Sequence, residues 1–281
     1  MWGGHVTATE AYQTLSSPDV TVTNQSDKDT QLAKIRVLDD EAKEAFEASS
    51  ASEQLAAGVS AVELAEAGFQ EGLLIAAGAD ANDVKFGCML HAYGDDWSNK
   101  GLTAEDVNDS MLVRLQLHAP KSSLNLSGNR FGTEGATVIA EFLKVDAQLT
   151  FLDLSGKSIG EEGMRVIGIA LLGVATSKLG ALKCDAFDMP VGATSLNLSS
   201  EGIGPGAATL LAGVVKFTTT LTVLGLGDNK LGPEGAKAIA ESLIGNTTLT
   251  KVNLRFNSLD DAAKNALREA VKGRKGFVLE L

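Results

Sequence analysis

Leu124-Asn-Leu-Ser-Gly-Asn-Arg-Phe-Gly-Thr-Glu-Gly-Ala136 returns one hundred residues later as Leu224-Gly-Leu-Gly-Asp-Asn-Lys-Leu-Gly-Pro-Glu-Gly-Ala236. Shorter versions are Leu152-Asp-Leu-Ser-Gly-Lys157, Leu196-Asn-Leu-Ser-Ser-Glu201 and Val252-Asn-Leu-Arg-Phe-Asn257. Their first apolar positions are separated by steps of 28, 44, 28 and 28 residues. The long step resolves into about 30 plus 14 if a cryptic strand lies near Ala181-Leu-Lys-Cys184, which predicts a truncated, helix-less repeat near 181–195. A Leu-x-Leu triplet turns two side chains to one face of a short strand, and the Asn behind it can bond backbone groups of the turn. Helical spacing follows each long unit, as in Val138, Ile139, Phe142 and Leu143. Helices are expected over Thr133–Leu143, Glu161–Leu172, Pro205–Val215, Pro233–Leu243 and Asp260–Val271, with Pro205 and Pro233 in a first turn that accepts proline. No such unit can bury its apolar face alone, but a stack shares one continuous core.

The pattern over 124–136 and 224–236 resembles the leucine-rich repeat family, in its 28-residue ribonuclease-inhibitor-like class, across about 160 residues. The resemblance implies an α/β solenoid, with parallel strands on a concave face and helices on a convex one. Lys157 and Glu201 stand where the pattern has Asn, so the side-chain ladder is expected to break in mid-array. Lys272-Gly-Arg-Lys-Gly-Phe-Val-Leu-Glu-Leu281 reads as a last edge strand, and its basic cluster, Lys272, Arg274 and Lys275, complements a helix C-terminus.

The chain before the repeats differs in character. Three regions are expected: an extended polar arm over 1–30, an acidic, mostly helical region over 31–120, and the repeat domain over 121–281. Residues 1–30 hold few large apolar groups, and an arm of that kind needs a surface to lie on. Leu32, Ile35, Leu38, Ala42 and Phe46 suggest an amphipathic helix to about Ser52. A ten-residue period follows, in which Gly58, Gly68 and Gly78 end successive units while Leu64, Leu74 and Val84 keep step. It is similar to the Ser-Ala-x-Glu-Leu-x-x-Ala-Gly-Phe decapeptide repeats of protist proteins and predicts one short helix per unit, closed by a left-handed glycine. Tyr93 to Lys100 reads as a polar loop. Thr103 then opens a helix bearing Val107, Met111, Leu112 and Leu115 on one face, placed to cover the first repeat.

Composition narrows the function. The net charge is −12, and residues 1–120 hold 20 acids against 7 bases, which opposes binding to a phosphate backbone and argues against nucleic acid. No apolar run approaches a membrane span, two cysteines cannot build a disulfide scaffold, and no secretory signal opens the chain. These features favour a soluble intracellular protein, cytoplasmic by default, with an organelle such as a plastid left open had a presequence been removed.

The sequence has no phosphate loop, nucleophile elbow or His-Glu-x-x-His. His5, His91 and His118 are scattered, and Cys88 and Cys184 read as packing residues. The acidic pairs Asp39-Asp40, Asp95-Asp96, Glu161-Glu162 and Asp260-Asp261 read as solvated surface or helix starts. Neither catalysis, a cofactor nor a metal is expected. What remains is the outward row of each strand, whose candidate partner-binding residues are Ser123, Asn125, Phe151, Asp153, Ser195, Asn197, Val223, Lys251, Asn253 and Arg255.

The reading is a non-enzymatic interaction or scaffold module, an accessory or structural subunit of a larger assembly, with protein partners that could form a large multi-subunit complex. Resemblance leaves two alternatives. One is a regulator of a small GTPase, similar to Ran GTPase-activating protein, although the array is short and lacks that family's acidic tail. The other is an immune sensor similar to NOD-like receptors, although no nucleotide-binding domain is present. Ribonuclease inhibition fits poorly, because the repeats hold one Cys.

Overall fold

A computed structural model of the chain describes residues 51–52, 55–56, 58–67, 69, 71–81, 84, 88, 97–104, 122–146, 148–156 and 159–281. The expected arm, nearly all of the first amphipathic helix, Gly68, Lys157, the three histidines and the helix after Thr103 lie outside the described residues. The chain divides into two units, Met1–Asp95 and Asp96–Leu281.

In the first unit, helix α1 spans Ala61–Glu66 and α2 spans Glu71–Ala76. Ser60 and Glu63 close a reciprocal capping box: the Glu63 amide donates to Ser60 Oγ at 3.2 Å, and the Ser60 amide donates to Glu63 Oε2 at 2.9 Å. Gly58 and Gly78 have φ of +87° and +91°, a backbone shape that glycine adopts without strain. The ten-residue stripe of Leu64, Leu74 and Val84 is fully buried and packs with Val59 and Phe69.

The second unit alternates strand and helix: β1 (Ser123–Asn125), α3 (Gly132–Val145), β2 (Phe151–Asp153), α4 (Gly160–Gly173), β3 (Ala181–Lys183), β4 (Asp188–Met189), β5 (Ser195–Asn197), α5 (Pro205–Val215), β6 (Val223–Gly225), α6 (Gly232–Gly245), β7 (Lys251–Asn253), α7 (Asp261–Ala270) and β8 (Val278–Glu280). The strands form two four-stranded sheets, β1-β2-β3-β4 and β5-β6-β7-β8, parallel except for β4. Leu124, Leu152 and Leu182 stand in register in the first sheet, and Leu196, Leu224, Val252 and Leu279 in the second, so the leucine columns build the core from the strand side. The truncated repeat falls at β3, with no helix before β5. The chain there returns through the antiparallel strand β4, and a new sheet begins.

One turn of the stack escapes the sequence pattern. Trp97 to Thr103, expected as a polar loop and the opening of a helix, is built into the stack. Trp97 is fully buried, its carbonyl accepts from Asn129 Nδ2 at 2.8 Å, and Thr103 bridges in parallel to Arg130. The amides of Lys100 and Leu102 both donate to Asn129 Oδ1 at 3.1 Å. The stack therefore includes a turn before that of Leu124.

The sheets part between β4 and β5, and the helix layer carries the connection. Gly168 of α4 lies directly on the backbone of Thr209 and Leu210, and Gly206 of α5 on the carbonyl of Glu161, so a methyl group at either position would overlap backbone atoms. On Gly213 a Cβ would lie 2.7 Å from Leu171 Cβ. The Gly206 amide, one of the unpaired donors at the start of α5, donates to Glu161 Oε2 at 2.7 Å. Lys216 at the far end donates to the carbonyls of Leu172 and Val174 at 2.6 and 2.7 Å, closing the end of α4. Every residue of α5 from Gly206 to Val215 is buried, as in a helix covered on all sides.

Gly206→Ala is expected to destabilise the protein by about 2–3 kcal/mol, because the overlap is with backbone that cannot rotate away. Gly173→Ala, at an open position in the last turn of α4, should stabilise it by about 0.5 kcal/mol through helix propensity. Urea unfolding followed by circular dichroism measures both. A similar effect of the two substitutions would refute the seam.

Candidate functional site

The ten candidate residues fall into two groups because the sheet is broken. Ser123, Asn125, Phe151 and Asp153 lie on the first sheet, in register with Ala181 and Lys183. Ser195, Asn197, Val223, Lys251 and Asn253 lie on the second, in register with Val278 and Glu280, and Arg255 stands in the turn that follows β7, after Leu254.

Four of them are occupied by their own turns. Asn125 Oδ1 accepts from the Ser127 amide at 3.0 Å, and Asn253 Oδ1 accepts from the Arg255 amide at 3.0 Å. Asp153 Oδ1 takes both the amide and the hydroxyl of Ser155, at 2.9 and 2.6 Å, and Asn197 Oδ1 takes those of Ser199, at 3.2 and 2.8 Å. An Asn or Asp that accepts from the amide two residues on forms a local turn, so these oxygens shape the strand exit. Lys251 is engaged too, with its ammonium 2.9 Å from Glu280. Lys251 and Arg255 hold the Glu280 carboxyl below its usual range, the Lys251 hydrogen bond first.

The side chains left over differ in kind. Ser123 and Ser195 are exposed, Phe151 and Val223 are half-buried, and Arg255 is exposed. Gly225 leaves the β6 surface bare beside Asn197, whose Oδ1 would lie 2.6 Å from a Cβ there. The Leu-x-Leu row does not reach Phe256, an exposed ring in the turn after β7, and so it goes unmarked there. Its signal was available in the column of turn residues, which runs Gly128, Gly156, Ser200, Asp228 and then Phe.

The basic cluster after α7 has a structural role. Arg274 donates to the carbonyls of Leu243 and Leu249 and stacks 4.5 Å from the Phe277 ring centroid, and burial lowers its pKa. Lys272 pairs with Glu269 at 3.0 Å. Asp260 caps α7 by accepting from the Ala263 amide at 2.7 Å, and Glu161 and Glu162 open α4, so both acidic pairs sit at helix starts.

Burial pushes the Cys184 thiol up to about 11, against the lowering pull of hydrogen bonds at Ala186 and Phe187. The Cys88 thiol is raised by burial and then by the charge of Glu71, so neither cysteine is an activated thiolate. No group of three or more His, Cys, Asp or Glu residues suited to a metal ion occurs among the described residues. A cleft of about 890 Å³ between α6 and α7, lined by Lys237, Leu243, Ile244, Glu269 and Arg274, holds none of the candidate residues.

Asp146 is the exception that needs explaining. It follows α3 as Asn246 follows α6. Asn246 Oδ1 accepts from the amides of Thr248 and Leu249, while its Nδ2 donates to the carbonyls of Val215 and Thr218 at 2.8 and 3.2 Å. Asp146 Oδ2 likewise accepts from Gln148 and Leu149, at 3.3 and 2.8 Å, but its Oδ1 is buried with no hydrogen-bond partner. Burial raises its pKa against the pull of those amides and of Lys178. The folded protein therefore binds this proton more readily than the unfolded chain does, so the contribution of Asp146 favours folding at low pH and is lost as pH rises through the carboxyl range. Asp146→Asn is expected to stabilise by about 1 kcal/mol at neutral pH. The gain should vanish as the medium is acidified through the carboxyl range, as read from urea midpoints at both ends.

The model of the Leucine Rich repeat family matches residues 122–140, 218–240 and 245–263. Two of the stretches contain a strand, its Asn turn at Asn129 or Asn229 and the start of the next helix, and the third contains β7 with Asn257. No curated protein matches the chain. No helix among the described residues is long and apolar enough to cross a membrane. Repeats of this family generally mediate protein–protein interaction, and the chain carries leucine-rich repeats.

Proposed function

We propose that this chain is a non-enzymatic protein-interaction module of the ribonuclease-inhibitor-like repeat class, acting as a scaffold or accessory subunit of a larger assembly. Its repeat domain over 121–281, led in by the turn at Trp97–Thr103, does the binding. The carrying observation is the anchoring of the turns. Asn129, Asn229 and Asn257 each donate to carbonyls of their own turn and of the turn before, which fixes the strand rows as a preformed surface. A preformed surface loses little conformational entropy when it binds a partner. On it, Phe151 offers apolar contact beside Ser123 on the first sheet, and Val223 beside the exposed Ser195 on the second.

The test is isolation of the native protein with whatever accompanies it at fixed ratio, sized and identified by mass spectrometry, beside the variant Phe151→Asp with Val223→Asp. Both side chains are half-exposed, so the variant should remain folded within about 1 kcal/mol of the parent and lose its companions. A parent that migrates alone overturns the stable-subunit reading. A panel of small GTPases hydrolysing GTP at an unchanged rate is expected with the purified chain. Acceleration would instead favour the GTPase-regulator reading.

A further inference from the structure

Phe256 stands at a position where the fold has no need of an aromatic ring. In each repeat the second residue after Leu-x-Leu takes the left-handed backbone, with φ of +69° at Gly128, +110° at Gly156, +65° at Ser200, +55° at Asp228 and +60° at Phe256. Glycine adopts that shape freely and short polar residues tolerate it, whereas a bulky residue there is strained. The Phe256 side chain gains no burial in return, because the residue is 83% exposed. Nor does the turn rely on it: Asn257 pins the turn by donating to Leu226 O at 2.7 Å and to Leu254 O at 3.1 Å. A strained, rigidly held and exposed ring is a preorganised anchor of the kind that interfaces concentrate their binding energy on.

The surroundings select the partner. Phe256 borders a cleft of about 420 Å³ lined by Arg255, Leu259, Lys264 and Leu281 among others, with no acidic side chain in its lining. The nearby carboxylate of Glu280 is taken by Lys251, while Lys264 makes no ion pair among the described residues. Residues 251–281 hold seven bases and four acids in a chain whose net charge is −12. A second copy would set one basic cleft against another, and a nucleic acid would meet an acidic protein outside this small patch. We propose that this cleft docks an extended acidic peptide segment of a partner protein, an apolar residue of the segment resting on Phe256 and its carboxylates meeting Arg255 and Lys264. The inference rests on the reading of the chain as a protein-interaction module.

The test uses the full chain and a displayed library of short random peptides, selected on the parent alone. Enriched peptides should be acidic with at least one apolar residue, and their affinity, read by fluorescence anisotropy, should fall with added salt. Phe256→Gly should weaken binding by about tenfold or more while its melting temperature holds or rises, since glycine relieves the left-handed strain. Arg255→Glu with Lys264→Glu should also weaken binding and shift the selected peptides away from acidic sequences. An absence of enriched peptides, enrichment of non-acidic ones, or binding indifferent to Phe256→Gly would overturn the proposal. A lowered melting temperature in that variant would mark the ring as structural and overturn it too, and concentration-dependent self-association lost with the ring would assign the cleft to a second copy. If the peptides fail while the native companions remain, only the docking site falls. If the companions also fail, so does the module reading beneath it.

Discussion

The close packing of α4 on α5 decides whether the repeats form one body. Sheet hydrogen bonds hold neighbouring repeats together everywhere else, but between β4 and β5 that ladder is interrupted. Gly168, Gly206 and Gly213 let two helix backbones meet where side chains would otherwise keep them apart. The ends are then fixed by charge: Glu161 meets the open amide of α5 at Gly206, and Lys216 meets the open carbonyls of α4. Each contact puts a charged group where the dipole of the neighbouring helix favours it. The same device recurs more mildly in the repeats on either side, where Gly163 lies against Ala136 and Gly235 against Ala208. The glycine in the first turn of the helix is thus a helix-spacing residue at Gly163, Gly206 and Gly235, while Gly135 lies against Phe131 of its own repeat.

The break falls at a repeat that lacks the turn Asn. Each turn Asn reaches back to the preceding turn, as Asn229 does to the carbonyl of Leu198 and the amide of Ile203. A repeat that lacks the Asn therefore keeps its own turn, which the next repeat holds, and loses its bond to the turn before. Glu201 is exposed at such a position, and the turn before it belongs to the β3–β4 segment. The two sheets separate where the Asn is lost at 201, but its loss at 157 leaves β1 and β2 paired, so the separation goes with the helix-less return through β4. At the turn after β3, Asp185 supplies a substitute acceptor, taking the Gly156 amide at 2.8 Å.

Much of the repeat fold was legible because its signals reinforce one another: Leu-x-Leu sets the strands, a period of 28 residues sets the spacing, and Pro205 and Pro233 mark the helix starts. The turn at Trp97–Thr103 was not, since it has Trp97 where the later repeats have the second Leu and Lys100 in place of Asn. Its hydrogen bonds come from Asn129 of the next repeat, so no residue within the segment announces them. The short strand β4 has no periodic signal at all. The candidate face was half legible. The outward positions were found from alternation, but alternation is blind to whether an outward Asn bonds water or the amide two residues on. Asn125, Asp153, Asn197 and Asn253 do the latter, and their value to a partner is smaller than their exposure suggests.

The same distinction between a side chain that is present and one that is free governs the charges. Lys216 and Arg274 hold backbone carbonyls, while Lys251 and Lys272 hold carboxylates. A guanidinium bonded to two carbonyls and stacked on Phe277 has little left to offer an anion, whatever its position in a basic run. Arg255 and Lys264 lie outside the run and line the cleft beside the ring that the turn geometry holds out. Lys272 and Arg274 of the run Lys272–Lys275 are engaged within the fold, and charge meets an exposed ring instead at Arg255, Lys264 and Phe256.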